Sequence, residues 1–362
     1  MNERVIANLD DVREKLGQKA HDALLEFDRG ARDRMTPQEF YYSDYPDGST
    51  SIPERYRFDS LLAKVAVPSA REYIETLIRS DLATEPRHTS TGYGLQNYLM
   101  NNPAYMQLYS IEGGNERLPQ ELAARIDAEI LLRHPVSSIR KVESGGLRIE
   151  SPSARGNYSE EFDFVVVALP HNQLKSVVFG GDDLVHAINR HFDYYHYPAH
   201  YLRITVQFKV PFWRETLTDS YWMLDRFGGC CLYDESSREP GSTMGVLGWL
   251  LGGTDAEELS ERDDQQLINA ALDSLPDFLA HGRQYFVEGH VHRWINSVNA
   301  LPSGLVPLSL DRRHQPEPDE HPNLFLVGDY LFDSTLNGVL DSANYVAAWI
   351  AAQSTENYQE IK

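Results

Sequence analysis

Asn323-Leu324-Phe325-Leu326-Val327-Gly328-Asp329-Tyr330, followed by Ser334-Thr335-Leu336-Asn337-Gly338-Val339-Leu340-Asp341-Ser342-Ala343-Asn344, is the stretch on which the fold turns. A short apolar strand ends on Gly-Asp, a tight loop follows, and a helix opens at Asn337-Gly338. Glycine at a helix start lets the backbone approach a ligand closely. The unpaired N–H groups and positive dipole end there suit an anion or an electron-rich ring edge. Strand, loop and helix in this order belong to an α/β fold.

With 362 residues the chain is long enough for two domains and large buried cores. Its 54 acidic residues outnumber 33 basic ones, and the net charge of −21 argues against nucleic acid or anionic lipid as a partner. Most of that charge reads as a solvated acidic surface. No apolar run approaches the roughly 18 residues of a membrane span, and Met1-Asn2-Glu3-Arg4 does not open a signal peptide. The two cysteines, Cys230 and Cys231, are neighbours. Adjacent cysteines seldom pair, and two alone make neither a disulfide framework nor a metal site. A cytoplasmic, disulfide-free protein without a metal is expected.

Three zones follow along the chain. Residues 1–110 read as helical: apolar residues recur near helical spacing from Val5 to Arg32, and Phe58–Val65 and Ala70–Leu82 continue the pattern, the last started by Pro68 and Ser69. The run from Tyr41 to Pro53 reads as a loop. From Ile111 a Gly113-Gly114 turn leads into a helix over Leu118–Ile126, and strands are expected at Glu129–Leu132, Val136–Val142, Gly146–Glu150 and Glu161–Leu169. Residues 181–320 alternate strands (Leu202–Val210, Met244–Leu250, Gln284–His292) with a helix near Asp263–Leu279, and Asp311–Pro322 is a polar loop. There is no internal repeat.

Five further places carry a family pattern. They are Gly113-Gly114-Asn115-Glu116-Arg117-Leu118, Pro135-Val136 through Ile139, Asp163 through Pro170, Tyr197-Pro198-Ala199 to Pro211-Phe212-Trp213, and Arg293-Trp294. In this order, and closed by Gly328-Asp329 and the glycine-opened helix, they resemble the FAD-dependent amine oxidase superfamily over about residues 90–353. The resemblance implies FAD as cofactor. Gly113, Gly114, Asn115 and Leu118 would lie at the glycine turn beside it, Val136 would bracket the adenine, and Pro170 would end a strand by the ADP moiety. Trp294 would flank the isoalloxazine. Gly328, Asp329, Gly338, Val339 and Leu340 would form the closing cradle, with Asp329 accepting from a ribitol or ribose hydroxyl.

No GxGxxG follows a strand anywhere in the chain, although relatives hold the FAD pyrophosphate on that turn. The implied fold class is therefore α/β: an incomplete glutathione-reductase-like FAD-binding Rossmann domain interleaved with a mixed-sheet substrate domain. Residues 1–110 would supply the helical part of the substrate domain, 111–180 and 321–353 the rest of the FAD domain, and 181–320 the substrate-binding sheet. Three explanations stay open: one subunit of a split oxidase with a small GxGxxG-bearing partner, a processed fragment of a longer chain, or a scaffold that has lost FAD. Met1 and the acidic helix after it point to a genuine chain start.

The catalytic positions depart from the family. Relatives carry a lysine eight residues before the proline of Pro-Phe-Trp, and that position here is Arg203. An arginine there would hold a water by flavin N5 or clamp a substrate carboxylate, or else serve only as a surface or interface charge. The two aromatic positions that sandwich an amine in monoamine oxidases fall at Gly304 and Thr335, so Arg203, Trp294 and Thr335 are the candidate catalytic residues. The activity implied is oxidation of a C–N bond of an amine or amino acid by hydride transfer to flavin. Leu301-Pro302 keeps a desaturase or dehydrogenase of the same clan open, and a non-catalytic partner that stabilises a full-length flavoenzyme is the rival outside enzymes. His196, His200 and the tyrosines Tyr194, Tyr195, Tyr197, Tyr201 and Tyr221 are either pocket or core residues.

Overall fold

The computed structural model describes residues 5–6, 9–42, 56–102, 104–106, 109, 111–153, 156–239, 241–305, 308–332 and 335–360. The chain opens with β1 (Val5–Ile6) and helices α1 (Leu9–Leu16), α2 (Gln18–Arg34), α3 (Pro37–Tyr42), α4 (Phe58–Leu62), α5 (Pro68–Leu82) and α6 (Thr91–Leu99). Next come α7 (Arg117–Arg125), strands β2 (Ser138–Lys141), β3 (Leu147–Ser153), β4 (Gly156–Phe162), β5 (Val165–Val167) and β6 (Val178–Gly180), and α8 (Asp182–Tyr194). Strands β7 (Pro198–Phe208), β8 (Tyr221–Leu224), β9 (Cys230–Asp234) and β10 (Gly245–Gly252) follow, then α9 (Gly253–Ser260), α10 (Asp264–Asp273) and β11 (Phe286–Asn299). The chain closes with α11 (Leu310–His314), β12 (Leu324–Leu326) and α12 (Leu336–Glu360).

These elements form two compact units, residues 1–109 with 197–305 and residues 110–196 with 306–362. The division differs from the boundaries expected at 180 and 320: α8 packs into the core of the second unit, and α11 falls within that unit. No helix among the described residues is long and apolar enough to cross a membrane.

The first unit is built on an antiparallel sheet of order β1-β8-β9-β10-β7-β11. Strict alternation along β7 sends Leu202, Ile204, Val206 and Phe208 to one face, where they are fully buried with Trp213, Trp222 and Trp249 against α10. Met223 and Cys231 reach the opposite face and pack under α5 and the helices around it. Helix α5 has Pro68 at its first position, buries Ala70, Ile74, Ile78 and Leu82 at four-residue spacing, and stops at Ala83, whose φ of 57° is left-handed. Ser90 caps α6 by accepting from the Tyr93 N–H, and Asp263 caps α10 by accepting from that of Gln266.

The second unit has a four-stranded sheet, β4-β3-β2-β6, and a separate parallel pair, β12-β5. Leu324 and Leu326 of β12 face a core with Val165, Val167, Leu184 and Phe192, while Phe325 and Val327 face Val346 of α12. Burial on both faces is what a parallel strand requires.

Several expected elements differ. Val5 and Ile6 are strand, paired with Leu224 and Met223, where the helical pattern was expected to begin. Tyr41 and Tyr42 end helix α3, and the rest of the expected loop lies outside the described residues. Glu129–Leu132 is not a strand: no partner strand reaches it, and Leu132 is 79% exposed. The run Glu161–Leu169 divides into the end of β4 and β5. The helix expected over Asp263–Leu279 ends at Asp273 because Pro276 cannot continue it.

Candidate functional site

In the second unit, β5 and β12 run parallel in register Val167↔Leu326, so both deliver their C-terminal ends to one place. Pro170 follows β5 and opens a short 3-10 turn. Gly328 follows β12, and its N–H donates to Ser342 Oγ at 3.0 Å. A Cβ on Gly328 would come within 2.6 Å of the Tyr330 ring, so space, not backbone conformation, requires glycine there. Asp329 starts the next 3-10 turn, its Oδ1 accepting from the Tyr330 N–H at 2.8 Å. Helix α12 begins at Leu336, and Thr335 caps it: Thr335 Oγ1 accepts from the Gly338 N–H at 3.2 Å. Gly338 is thus the third residue of the helix, in its first turn, and is buried, while Leu336, Val339 and Leu340 are exposed. The structure gathers Pro170, Gly328, Asp329, Thr335 and Gly338 around strand ends and a helix N-terminus.

Gly113, Gly114, Asn115 and Leu118 form an exposed turn running into α7. Gly113 and Gly114 have φ of +82° and +94°, a left-handed pair that favours glycine at both positions. Helix α7 buries none of its residues. Val136, just before β2, is 37% exposed.

Beside the strand ends lies an aromatic stack that the sequence did not single out as a group. His171 stacks on Phe192 with centroids 4.2 Å apart, and its Nε2 donates to the Phe192 carbonyl at 2.8 Å. His191 Nε2 lies 3.3 Å from Tyr330 Oη, and burial pushes its pKa down to about 3, so it stays neutral.

In the first unit, the register of β7 with β11 sets Arg203 opposite His292 and Tyr201 opposite Trp294. Directly opposed residues share a face, so the four stand together on the sheet face turned toward α5. Trp294 is 43% exposed and stacks on His292. Arg203 forms an ion pair with Glu235, which also receives Arg238 at 3.2 Å. The candidate catalytic charge is therefore already balanced by a protein carboxylate. Gly304, in the same unit, has φ of +80° and open space around it.

A further acid joins that face. Asp81, near the C-terminal end of α5, accepts the Tyr201 hydroxyl on its backbone carbonyl, and its Oδ2 accepts from Asn101 Nδ2 at 2.9 Å. The sequence signal was faint: one carboxylate in the last turn of an apolar helix, at the helix end that least favours it.

A family model described as flavin containing amine oxidoreductase matches residues 13–351. None of the curated proteins matches the chain. Among solved structures, putrescine oxidase bound to putrescine is 15% identical, with a TM-score of 0.63 over 97% of this chain and 78% of its own. Cyclohexylamine oxidase from Brevibacterium oxydans is 17% identical, with a TM-score of 0.61 over 93% of this chain and 75% of its own. A candidate protoporphyrinogen oxidase from Exiguobacterium is 18% identical, with a TM-score of 0.66 over 96% and 75%.

Proposed function

The chain belongs to the flavin-containing amine oxidoreductase family, whose cofactor is FAD, and we propose that it is the substrate-bearing subunit of a split oxidase, completed by a small GxGxxG-bearing partner. The reaction assigned is oxidation of a C–N bond in an amine or amino acid, in the cytoplasm.

The residues present suit the closing half of an FAD cradle. Gly328 and Asp329 end a parallel strand, and the first N–H groups of α12 point out of a helix whose opening residues are exposed. Gly113 and Gly114 offer bare backbone at a turn. Bound FAD supplies the hydride acceptor. The protein's part is to hold Asp329 against a hydroxyl, to keep the backbone at Gly328 and Gly338 free of side chains, and to present Trp294 and its neighbours to the substrate. With the Arg203 charge already paired to Glu235, its stronger role here is to fix a water or the sheet face, not to capture a free carboxylate.

One observation carries the split reading. The β12-β5 pair has no third strand among the described residues, and the sequence offers no GxGxxG unit to extend it. In β12 the groups of Asn323 and Val327 bond β5, so those of Leu326 point to the other edge, where His314 Nδ1 donates to the Leu326 carbonyl at 2.9 Å. That edge is thus taken by the chain's own residues, and a further parallel strand would add at the outer edge of β5, where Val166 is 43% exposed.

The test is purification of the chain alone and after co-expression with a GxGxxG-bearing Rossmann subunit, followed by flavin absorbance. The expected result is a colourless chain and a yellow complex. Stoichiometric FAD on the isolated chain would overturn the split while leaving the family's cofactor in place. A complex with FAD but no reduction by any amine would favour the scaffold reading, for which the neutralised Arg203 is the supporting observation.

A further inference from the structure

Asp81 is a half-buried carboxylate whose side chain receives Asn101, a neutral donor, and is paired with no cation among the described residues. Arg79, two residues earlier on α5, is engaged elsewhere, by the Gly228 carbonyl at 2.6 Å and by Asp255 at 3.2 Å. Asn101 is itself anchored, its Nδ2 also donating to the Asn97 carbonyl at 3.3 Å. Tyr201 bonds the Asp81 backbone carbonyl, and Tyr221, Tyr233 and Cys231 lie with it on the sheet face turned toward α5. Tyr221 and Tyr233 are directly opposed on β8 and β9 and stack, with centroids 6.2 Å apart. Tyr201, Tyr221 and Tyr233 are each only partly buried, so the sheet face retains open surface.

We propose that Asp81, with Asn101 and the rings of Tyr201, Tyr221 and Tyr233, forms a recognition site for an organic ammonium group. A half-buried carboxylate with one neutral donor lacks the partner that would offset its desolvation, and an incoming cation supplies it. Phenol rings favour an alkylammonium over a hydrated metal ion. No group of three metal-ligating side chains occurs among the described residues. Burial pushes the Asp81 carboxyl up to about 6, against the lowering effect of Asn101, so the site is fully charged only above that pH. Tyr201, Tyr221, Tyr233 and Cys231 all have raised pKa values, burial being the main cause, and stay neutral through the same range. The inference rests on the amine-oxidation reading only in calling the bound ammonium a substrate group.

Calorimetric titration of the full chain without flavin, with n-hexylammonium and with 1-hexanol at pH 8, tests it. Wild type should bind the ammonium at least about 10-fold more tightly than the alcohol. Asp81→Asn keeps an acceptor for Asn101 but should erase that preference, Asp81→Glu should restore part of it, and lowering the pH through 6 should weaken wild-type binding. Equal ammonium affinity in wild type and Asp81→Asn, or an alcohol bound as well as the ammonium, would overturn the site; so would no ammonium binding at all. Ammonium binding that depends on Asp81 in a chain no partner can load with FAD would sink the proposed function alone. Amine turnover in a flavin-loaded complex that ignores Asp81→Asn would sink this site alone.

Discussion

The two units of the molecule treat their apolar surface differently. In the first, a six-stranded sheet is covered on one face by Trp213, Trp222, Trp249 and α10, and on the other by α5 and its neighbouring helices. In the second, a two-stranded parallel pair and the uncovered helix α7 leave Leu122, Ile126, Leu132, Val166 and Leu336 in solvent. Of the large apolar side chains exposed among the described residues, fifteen lie in the smaller second unit and eight in the larger first. Scattered exposed residues need no explanation, but this concentration, beside an unextended parallel pair, is the surface that the proposed partner would cover.

The sharpest way to break this contrast is to open the closed unit. Asp234 is buried and accepts from Trp213 Nε1 at 2.9 Å, Arg214 Nε at 2.8 Å and Ser236 Oγ at 2.6 Å. Burial would raise its carboxyl, but these donors outweigh it and hold the pKa below the usual carboxylate value. Asp234→Ala should cost about 3–5 kcal/mol in urea unfolding followed by tryptophan fluorescence, since it strands a charge and two donors. The stabilisation is present above the unfolded pKa of about 4 and lost as pH falls through the lowered folded value. A cost under about 1 kcal/mol would mean that the first unit is not held as described.

A second expectation concerns the open unit. Asp329→Ala should weaken flavin binding in the assembled complex by about 1–3 kcal/mol, with little change in the stability of the chain alone. Unchanged flavin content would remove the β12 end from the cofactor site.

The third is a pH effect of the opposite sign to that of Asp234. Because the folded pKa of Asp81 is raised, to about 6, its contribution is favourable below the unfolded value near 4 and is lost as pH rises through 6. Asp81→Asn should therefore raise the melting temperature at pH 8 and leave it unchanged at pH 4. An increase of the same size at both values would show that charge plays no part.

The smallest expected effect sharpens the contrast most. Leu122→Lys on α7 combined with Ile126→Lys at its C-terminal cap should change the stability of the isolated chain by less than about 0.5 kcal/mol, because both side chains already face water. The same pair should abolish recovery of the flavin-bearing complex in co-expression. Undiminished recovery would show that α7 is not part of the partner surface.

What could be read from the sequence divides along physical lines. The strand ending on Gly328-Asp329 and the helix after it were legible because turn glycine, apolar run and helical period are local signals. So was α5, started by Pro68. Strand β1 was not, since Val5 and Ile6 become strand only by pairing with Leu224 and Met223, more than two hundred residues away. The apolar run Ile130-Leu131-Leu132 looked like a strand and is not one, because propensity without a neighbouring edge does not make a sheet. Arg203 and Trp294 were located by motif, but their sharing one face, and the Glu235 that neutralises Arg203, come from register. Asp81 was missed because its surroundings are assembled from four separate elements.

Cys230 and Cys231 are adjacent in β9, yet one thiol lies in the tryptophan-lined core and the other among the α5 side chains. The pleat of a single strand insulates them from each other. Burial raises both pKa values, that of Cys231 to about 12, so neither presents a thiolate to an alkylating reagent while its layer is closed. Cys230 is then a clock for the opening of the face that carries α10, and Cys231 a clock for the lifting of α5. Residue-resolved alkylation of this one dipeptide would time the two sides of the sheet independently, with no label added to the protein.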